Sequence, residues 1–322
     1  EKEPLKRLFR DAGPCKGKKL RSRIFFAFAG SSSRRAVKAA AALELIHLAT
    51  LIHDDVLDHS QVRRELPCLY RIYGIPSSIL FGDLLLTQGF RLLSETGNPA
   101  LISIASNACH RAVRGEIMER ESVKNYAIKR EAYMDIIFGK TGALFSVAAE
   151  LGAVQNGSTP EVRRTAAAFG NEVGAVYQIL DDCRDYTGTH GNKDSLRDLR
   201  GGVVTLPLIM LLERCMETEK ADIRHVLEAP DPTDADLQKV LGYIDHYGTI
   251  EESLRTAKQY LTRATARGKA LPAEQSEGCS KILQIMRKVI EKTDTKHRYC
   301  RRRFCGHKCI ENTASVPQTA AV

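Results

Sequence analysis

Asp54-Asp55-Val56-Leu57-Asp58 and Asp181-Asp182-Cys183-Arg184-Asp185 are two copies of one acidic pattern, each at the end of an apolar stretch with helical spacing. On a helix the first and last Asp of each copy stand one turn apart on one face, with the middle Asp flanking them. Carboxylates this close repel one another unless a cation lies between them. All-oxygen donors suit Mg2+, which takes one or two carboxylates and fills its octahedron with water and phosphate oxygens. Two such trios facing across a cleft would grip a pyrophosphorylated substrate. One trio alone reads equally well as a solvated helix end. Its recurrence after strongly apolar helix, where bare carboxylates are expensive to bury, favours ligated metal.

Cationic residues with phosphate-binding chemistry lie around these copies. Arg63-Arg64 follow Asp58 by five and six residues, and paired guanidiniums fork onto phosphate oxygens. Lys16-Gly17-Lys18-Lys19-Leu20-Arg21 suits a second phosphate or a solvated loop, and lacks the glycine spacing and Ser/Thr of a P-loop. His47, seven residues before Asp54, reads as a core histidine or a residue of the same face; Gly139-Lys140-Thr141 places a Lys in an apolar helix; Gln178 precedes Asp181 by three residues, which puts it on that face. In the tail, His297, Cys300, Cys305, His307 and Cys309 invite zinc, but the spacing of the cysteines matches no standard structural site. Arg301-Arg302-Arg303 reads as a solvated basic stretch suited to peripheral contact with anionic lipid.

The elements that must position these residues are helical. Arg35 to Asp58 carries Ala39, Leu43, Ile46, Thr50 and Asp54 at steps of three or four, the period of one buried helix ending at its carboxylates. A polar connection through Pro67 leads to a helix near 78–93, and Gly97-Asn98-Pro99 breaks the chain before another to about Glu121. Residues 128–154 are helical again. Thr159-Pro160-Glu161 reads as an N-cap with Pro at the first helical position, opening a helix to about Tyr186. Gly188 to Gly202 is Gly-rich and charged, a loop placed to close over a site. Further helices are expected at about 203–219, 236–247, 250–268 and 275–293, while Ile24 to Phe28 reads as helix or strand. The expectation is an all-α chain with a single domain over 1–322 and a basic, Cys-rich tail from about 295.

The chain's 322 residues, 43% of them hydrophobic, suffice for a large core. No uninterrupted apolar run reaches membrane-spanning length, and Glu1-Lys2-Glu3-Pro4 does not resemble a secretory leader, so a cytoplasmic location is expected. The net charge of +9 points to an anionic partner. Nucleic acid fits poorly: there is no zinc-finger spacing, no aromatic RNA-binding motif and no Trp. Nine scattered Cys favour reduced thiols over a disulfide framework.

From about Gly17 to Leu212 the residues resemble the trans-isoprenyl diphosphate synthases. Glu44 to Asp58 followed by Arg63-Arg64 is similar to that family's first aspartate-rich motif; Gly82-Asp83, Gly139-Lys140-Thr141, Tyr177 to Asp182, Asp198-Leu199-Arg200-Gly201-Gly202 and Thr205-Leu206-Pro207 follow in family order. The resemblance implies an all-α isoprenoid synthase-type bundle with a deep central cavity, a homodimer, and transfer of an allylic prenyl group to isopentenyl diphosphate. It implies that Asp54, Asp58 and Asp181 ligate Mg2+, with Asp55, Asp182 and Asp185 assisting. Arg63, Lys140, Thr141, Gln178 and Lys193 would hold the allylic diphosphate, and Lys18, Arg21, His47 and Arg64 the isopentenyl diphosphate. Small residues beneath the first trio, Thr50 one turn below Asp54 and Ala49 beside it, leave room for added isoprene units, since one turn advances about 5.4 Å. The expected product is C20 or longer. Ser22, Asp194 and Val203 stand where the family usually has Pro, Pro and Lys. The loss of a cation at Val203 raises a second reading, a non-catalytic partner subunit of an active synthase.

Overall fold

A computed structural model of the chain describes residues 3–12, 17–63, 66–187, 196–230 and 232–305. In chain order its helices are α1 (Glu3–Asp11), α2 (Leu20–Ala29), α3 (Arg34–Leu57), α4 (Leu69–Tyr73), α5 (Ile75–Ser94), α6 (Pro99–Glu121), α7 (Arg130–Ile137), α8 (Ala143–Gln155), α9 (Pro160–Tyr186), α10 (Arg197–Gly201), α11 (Leu206–Leu212), α12 (Glu217–Glu228), α13 (Asp234–His246), α14 (Thr249–Lys269) and α15 (Ala273–Cys305). A π-helical turn, Phe138–Gly142, joins α7 to α8. Strands β1 (Val62–Arg63) and β2 (Leu66–Pro67) pair antiparallel, Val62 opposite Pro67.

The helices that carry the two motifs begin where their caps direct. Ser33 accepts the Ala36 N–H at 3.2 Å to start α3, and the Thr159 hydroxyl accepts the Val162 N–H at 3.4 Å ahead of Pro160 to start α9. The ambiguous segment at Ile24 to Phe28 is helix: Leu20, Ile24, Phe25, Phe28 and Ala29 are buried at a helical stripe spacing.

Several expectations are corrected. The polar connection at Pro67 contains the small ribbon β1–β2 and the short helix α4. Part of the expected irregular loop before Gly202 is helical, as α10. The single helix expected over 203–219 is two, interrupted after Leu212; the Glu219 carboxylate accepts the Met216 N–H at 2.9 Å and begins α12. α15 continues to Cys305, well past 293. Also, α3 and the run Arg130–Gln155 do have the length and hydropathy of membrane spans, although 78% of the second's apolar window is buried within the protein.

The chain divides into two compact units. One consists of Glu1–Arg114, Phe138–Gly174 and Arg263–Leu283. In it α3 packs on α5, and α2 on α8. The α2–α8 approach is close enough that a Cβ on Gly152 would stand 2.3 Å from the Phe25 carbonyl oxygen, which only glycine avoids. The other consists of Gly115–Ile137, Ala175–Thr262 and Gln284–Val322. Its core includes α11, buried throughout, and Arg130 there bonds Glu213 at 2.8 Å and Glu252 at 3.1 Å.

His297, a zinc candidate by sequence, is 3% exposed with Nε2 3.2 Å from Glu251 Oε1, so it fastens α15 to α14. His307 and Cys309 lie outside the described residues.

Candidate active site

The first motif closes α3. Asp58 is its C-cap, and its N–H returns to the Asp54 carbonyl at 2.8 Å, fixing Asp54 and Asp58 one turn apart. Asp55 is 5% exposed. Arg63, delivered by β1, grips it: Nε lies 2.8 and 2.7 Å from the two carboxylate oxygens and Nη2 2.7 Å from Oδ1. Burial pulls the Arg63 pKa down, but the bonds to Asp55 outweigh it and the guanidinium titrates above its ordinary value. Thus Arg63, expected on phosphate, neutralises the middle carboxylate in this structure. Arg64 lies outside the described residues.

Arg21 and His47 come together. Arg21 Nη1 is 2.8 Å from His47 Nε2, which makes Nε2 the acceptor and puts the neutral ring's proton on Nδ1. The Arg21 guanidinium also lies 4.7 Å above the Phe145 ring, a cation–π stack that holds its plane. Ser22, in the family's proline position, donates its N–H to Glu44 at 3.2 Å and its hydroxyl to the same oxygen, tying α2 to α3. Lys18 is exposed before α2. Lys140 and Thr141 ride on the π turn, a one-residue insertion that recurs at functional sites.

The Thr50 hydroxyl donates to the His47 carbonyl at 2.8 Å. Ala49 does not open onto space: it is 1% exposed in a cluster with Ile52, Leu69, Phe81 and Leu85. Phe81 comes to this cluster from α5. His53 was missed by the sequence reading. It fits only because Gly82 has no Cβ, which would stand 2.3 Å from His53 Nε2; that nitrogen lies 3.2 Å from the Ile79 carbonyl and 3.4 Å from Asp83.

The second motif ends α9, and its three carboxylates have three different surroundings. The Asp181 side chain is 56% exposed, with Arg184 Nη1 3.1 Å from Oδ1. Asp182 is 4% exposed; it accepts from the Tyr133 hydroxyl at 2.5 Å and from Gln178 Nε2 at 2.8 Å. Gln178 thus reaches Asp182, one full turn on. Asp185 accepts the N–H groups of Arg197 and Asp198 at 2.9 and 3.0 Å and so caps α10. Val203 donates its N–H to the Asp198 carbonyl at 2.8 Å, past Gly202 at φ 72°. Lys193 and Asp194 lie outside the described residues.

Among the described residues, burial and mutual repulsion raise several carboxylates around this second motif. Burial, aided by repulsion from Asp181 and Glu119, pushes Asp182 up to about 7 against the bonds from Tyr133 and Gln178. Burial also raises Asp185 over the opposing α10 N–H bonds, and burial with repulsion from Asp185, Asp182, Glu119 and Asp181 puts Asp198 well above its usual range. Such shifts mark carboxylates that a divalent cation would relieve.

Asp54 and Asp58 in one unit, and Asp181 in the other, each offer hard oxygen donors, and among the described residues no group of three His, Cys, Asp or Glu side chains is placed to hold a metal by itself. An open set of one or two carboxylates, completed by water and phosphate, is what Mg2+ accepts.

Comparison with known proteins agrees with this chemistry. The model of the polyprenyl synthetase family matches residues 2–244. Octaprenyl diphosphate synthase of Escherichia coli is 31% identical over 261 residues, covering 80% of this chain and 80% of that protein. The mitochondrial solanesyl-diphosphate synthase 1 of Oryza sativa subsp. japonica is 30% identical over 253 residues, 78% of this chain; the match spans only 57% of that longer protein. A decaprenyl diphosphate synthase from Rhodobacter capsulatus superposes with a TM-score of 0.83 at 31% identity, covering 90% of this chain and 89% of that one. The chain belongs to the polyprenyl synthetase family, the all-α prenyl diphosphate synthases, which are Mg2+-dependent transferases.

Proposed function

We propose that this chain joins isopentenyl diphosphate to an allylic prenyl diphosphate and repeats the addition to C20 or beyond, with Asp54, Asp58 and Asp181 holding Mg2+. The family membership over most of the chain is the observation that carries the reaction class, and it supports the transferase over a non-catalytic partner subunit. Bound Mg2+ supplies positive charge against the departing diphosphate. The chain's own residues do the rest. Lys140 and Thr141, with Lys193, orient the allylic diphosphate so that its C1–O bond breaks toward an allylic cation. Arg21, His47, Lys18 and Arg64 hold isopentenyl diphosphate so that its double bond attacks that carbon. A carbon–carbon bond forms, a proton leaves to the released diphosphate, and a new alkene remains. Arg63 and Gln178, bonded to Asp55 and Asp182, serve mainly to shape the two motifs.

The product length is supported by the named products of the relatives, octaprenyl, solanesyl and decaprenyl, and by the small side chain of Thr50 one turn below Asp54. With Ala49 packed against core, Thr50 is the small residue left there. Incubation of the purified protein with Mg2+, farnesyl diphosphate and labelled isopentenyl diphosphate is expected to give products of C20 and longer on chromatography. Products that stop at C15 would overturn the reading, and no turnover at all would restore the partner-subunit alternative.

The unpartnered face of α5 supports a homodimer. Ile75, Ile79, Leu80 and Leu84 are 44, 41, 68 and 37% exposed at roughly one-turn steps, an apolar stripe of the kind that marks an interface. Light scattering at micromolar concentration is expected to give twice the chain mass, and Leu80→Glu to shift it to the monomer. A wild-type monomer would remove the assignment.

A further inference from the structure

In both motifs the middle carboxylate is withdrawn from solvent and held by a side chain of its own unit, but the holders differ in charge. Asp55 is held by a cation, Arg63, which orients and neutralises it together. Among the described residues Asp182 is held by neutral donors: the Tyr133 hydroxyl from α7 at 2.5 Å on Oδ2 and the Gln178 amide from its own helix at 2.8 Å on Oδ1. Tyr133 and Asp182 are each 4% exposed, so the pair is a fixed part of the core.

The location gives the pair its leverage. Asp182 lies in the last turns of α9, which ends at Tyr186; terminal turns fray and rotate easily. An α-helix turns 100° per residue, so anchoring Asp182 inward sets where Asp181 points, and Asp181 is the 56%-exposed member. A neutral holder does this without cancelling the charge that draws a cation, which an Arg there would do. Gln178 cannot set the rotation, because it turns with the same helix. Tyr133 can, because it reaches from another.

We propose that Tyr133 is a positioning residue for the second aspartate motif: through Asp182 its hydroxyl fixes the final turn of α9 and so aims Asp181 at the metal and diphosphate. This rests on the functional reading above. Groups that orient metal ligands from outside typically alter metal affinity by about 10–100-fold when removed.

Tyr133→Phe keeps the ring and deletes the hydroxyl. Calorimetric titration with Mg2+ and inorganic pyrophosphate is expected to show binding weakened about tenfold, the Mg2+ concentration for half-maximal turnover raised to match, and KM for isopentenyl diphosphate unchanged. In an Asp182→Ala background, adding Tyr133→Phe is expected to change binding less than twofold, because no side chain at 182 is left for the hydroxyl to hold. That comparison also serves if Tyr133→Phe alone folds poorly, since the buried charge is then absent. Wild-type binding by Tyr133→Phe, or an undiminished effect in the Asp182→Ala background, overturns the role. Asp181→Asn is titrated alongside: if it binds as the wild type does, the metal assignment itself fails and takes this role with it, whereas impaired Asp181→Asn beside unimpaired Tyr133→Phe overturns the positioning role alone.

Discussion

Asp54→Asn is expected to lower kcat by at least about 10²–10³-fold, the scale of removing one fixed electrostatic group from a charge-separating transition state, while the protein melts close to the wild-type temperature. The two halves of that expectation have different causes. The substitution deletes a charged oxygen donor from a site whose chemistry is stabilisation of a leaving diphosphate, so the barrier rises. Stability is largely spared because Asp54 is only half-buried and Asn has the same shape and can keep hydrogen-bonding. Asp55 is the wrong residue for this experiment: it is buried against Arg63, so its loss would confound folding with catalysis. Steady-state rates across a Mg2+ titration, with thermal unfolding of both proteins, decide the matter. Turnover within tenfold of wild type would show that the first motif does not hold the metal.

The parts of this architecture that were legible in the sequence are those written locally. The period of three and four from Ala39 to Asp54 gave α3 to within a residue at either end, and Thr159-Pro160 located the start of α9. Both aspartate motifs were visible as residue types. What stayed hidden depends on partners distant in sequence or on small irregularities. Asp182 and Tyr133 are 49 residues apart, and a lone Tyr in an apolar helix reads as core. The π turn at Lys140 inserts one residue without changing composition. Arg63 follows an aspartate motif, so spacing offered it to phosphate, and only the fold of β1 brought it to Asp55. The Gln178 bond to Asp182 uses a four-residue step, which spacing does not separate from the three-residue step to Asp181. Ala49 suggested space, and Phe81, 32 residues on by sequence, packs into the same cluster. Composition also could not mark the stop after Leu212, where an apolar helix gives way to one begun by Glu219.

The metal-free protein is expected to lose stability as pH rises from about 5 to 8, the reverse of ordinary acid denaturation. An unfolded Asp ionises near 3.9, whereas burial holds Asp182 at about 7 in the fold. Between those values the folded chain keeps a proton that the unfolded chain has released. Stability therefore falls with rising pH across that window, and above it the full difference, at most about 4 kcal/mol, is lost. Asp185 and Asp198 are raised as well, chiefly by burial, and push the same way. Chemical unfolding in EDTA at pH 5 and pH 8 measures the slope. Asp182→Asn should match the parent near pH 4 and exceed it at pH 8, because an amide has no proton to lose and can still accept from Gln178 while donating to Tyr133. Mg2+ with pyrophosphate should flatten the parent's slope, since a bound cation favours the ionised cluster and stabilises the fold in proportion to its occupancy. A parent that becomes steadily more stable from pH 5 to 8 in EDTA would mean that these carboxylates are already ionised and compensated without metal, and the acidic cluster on α9 would then have no unmet charge with which to draw one in.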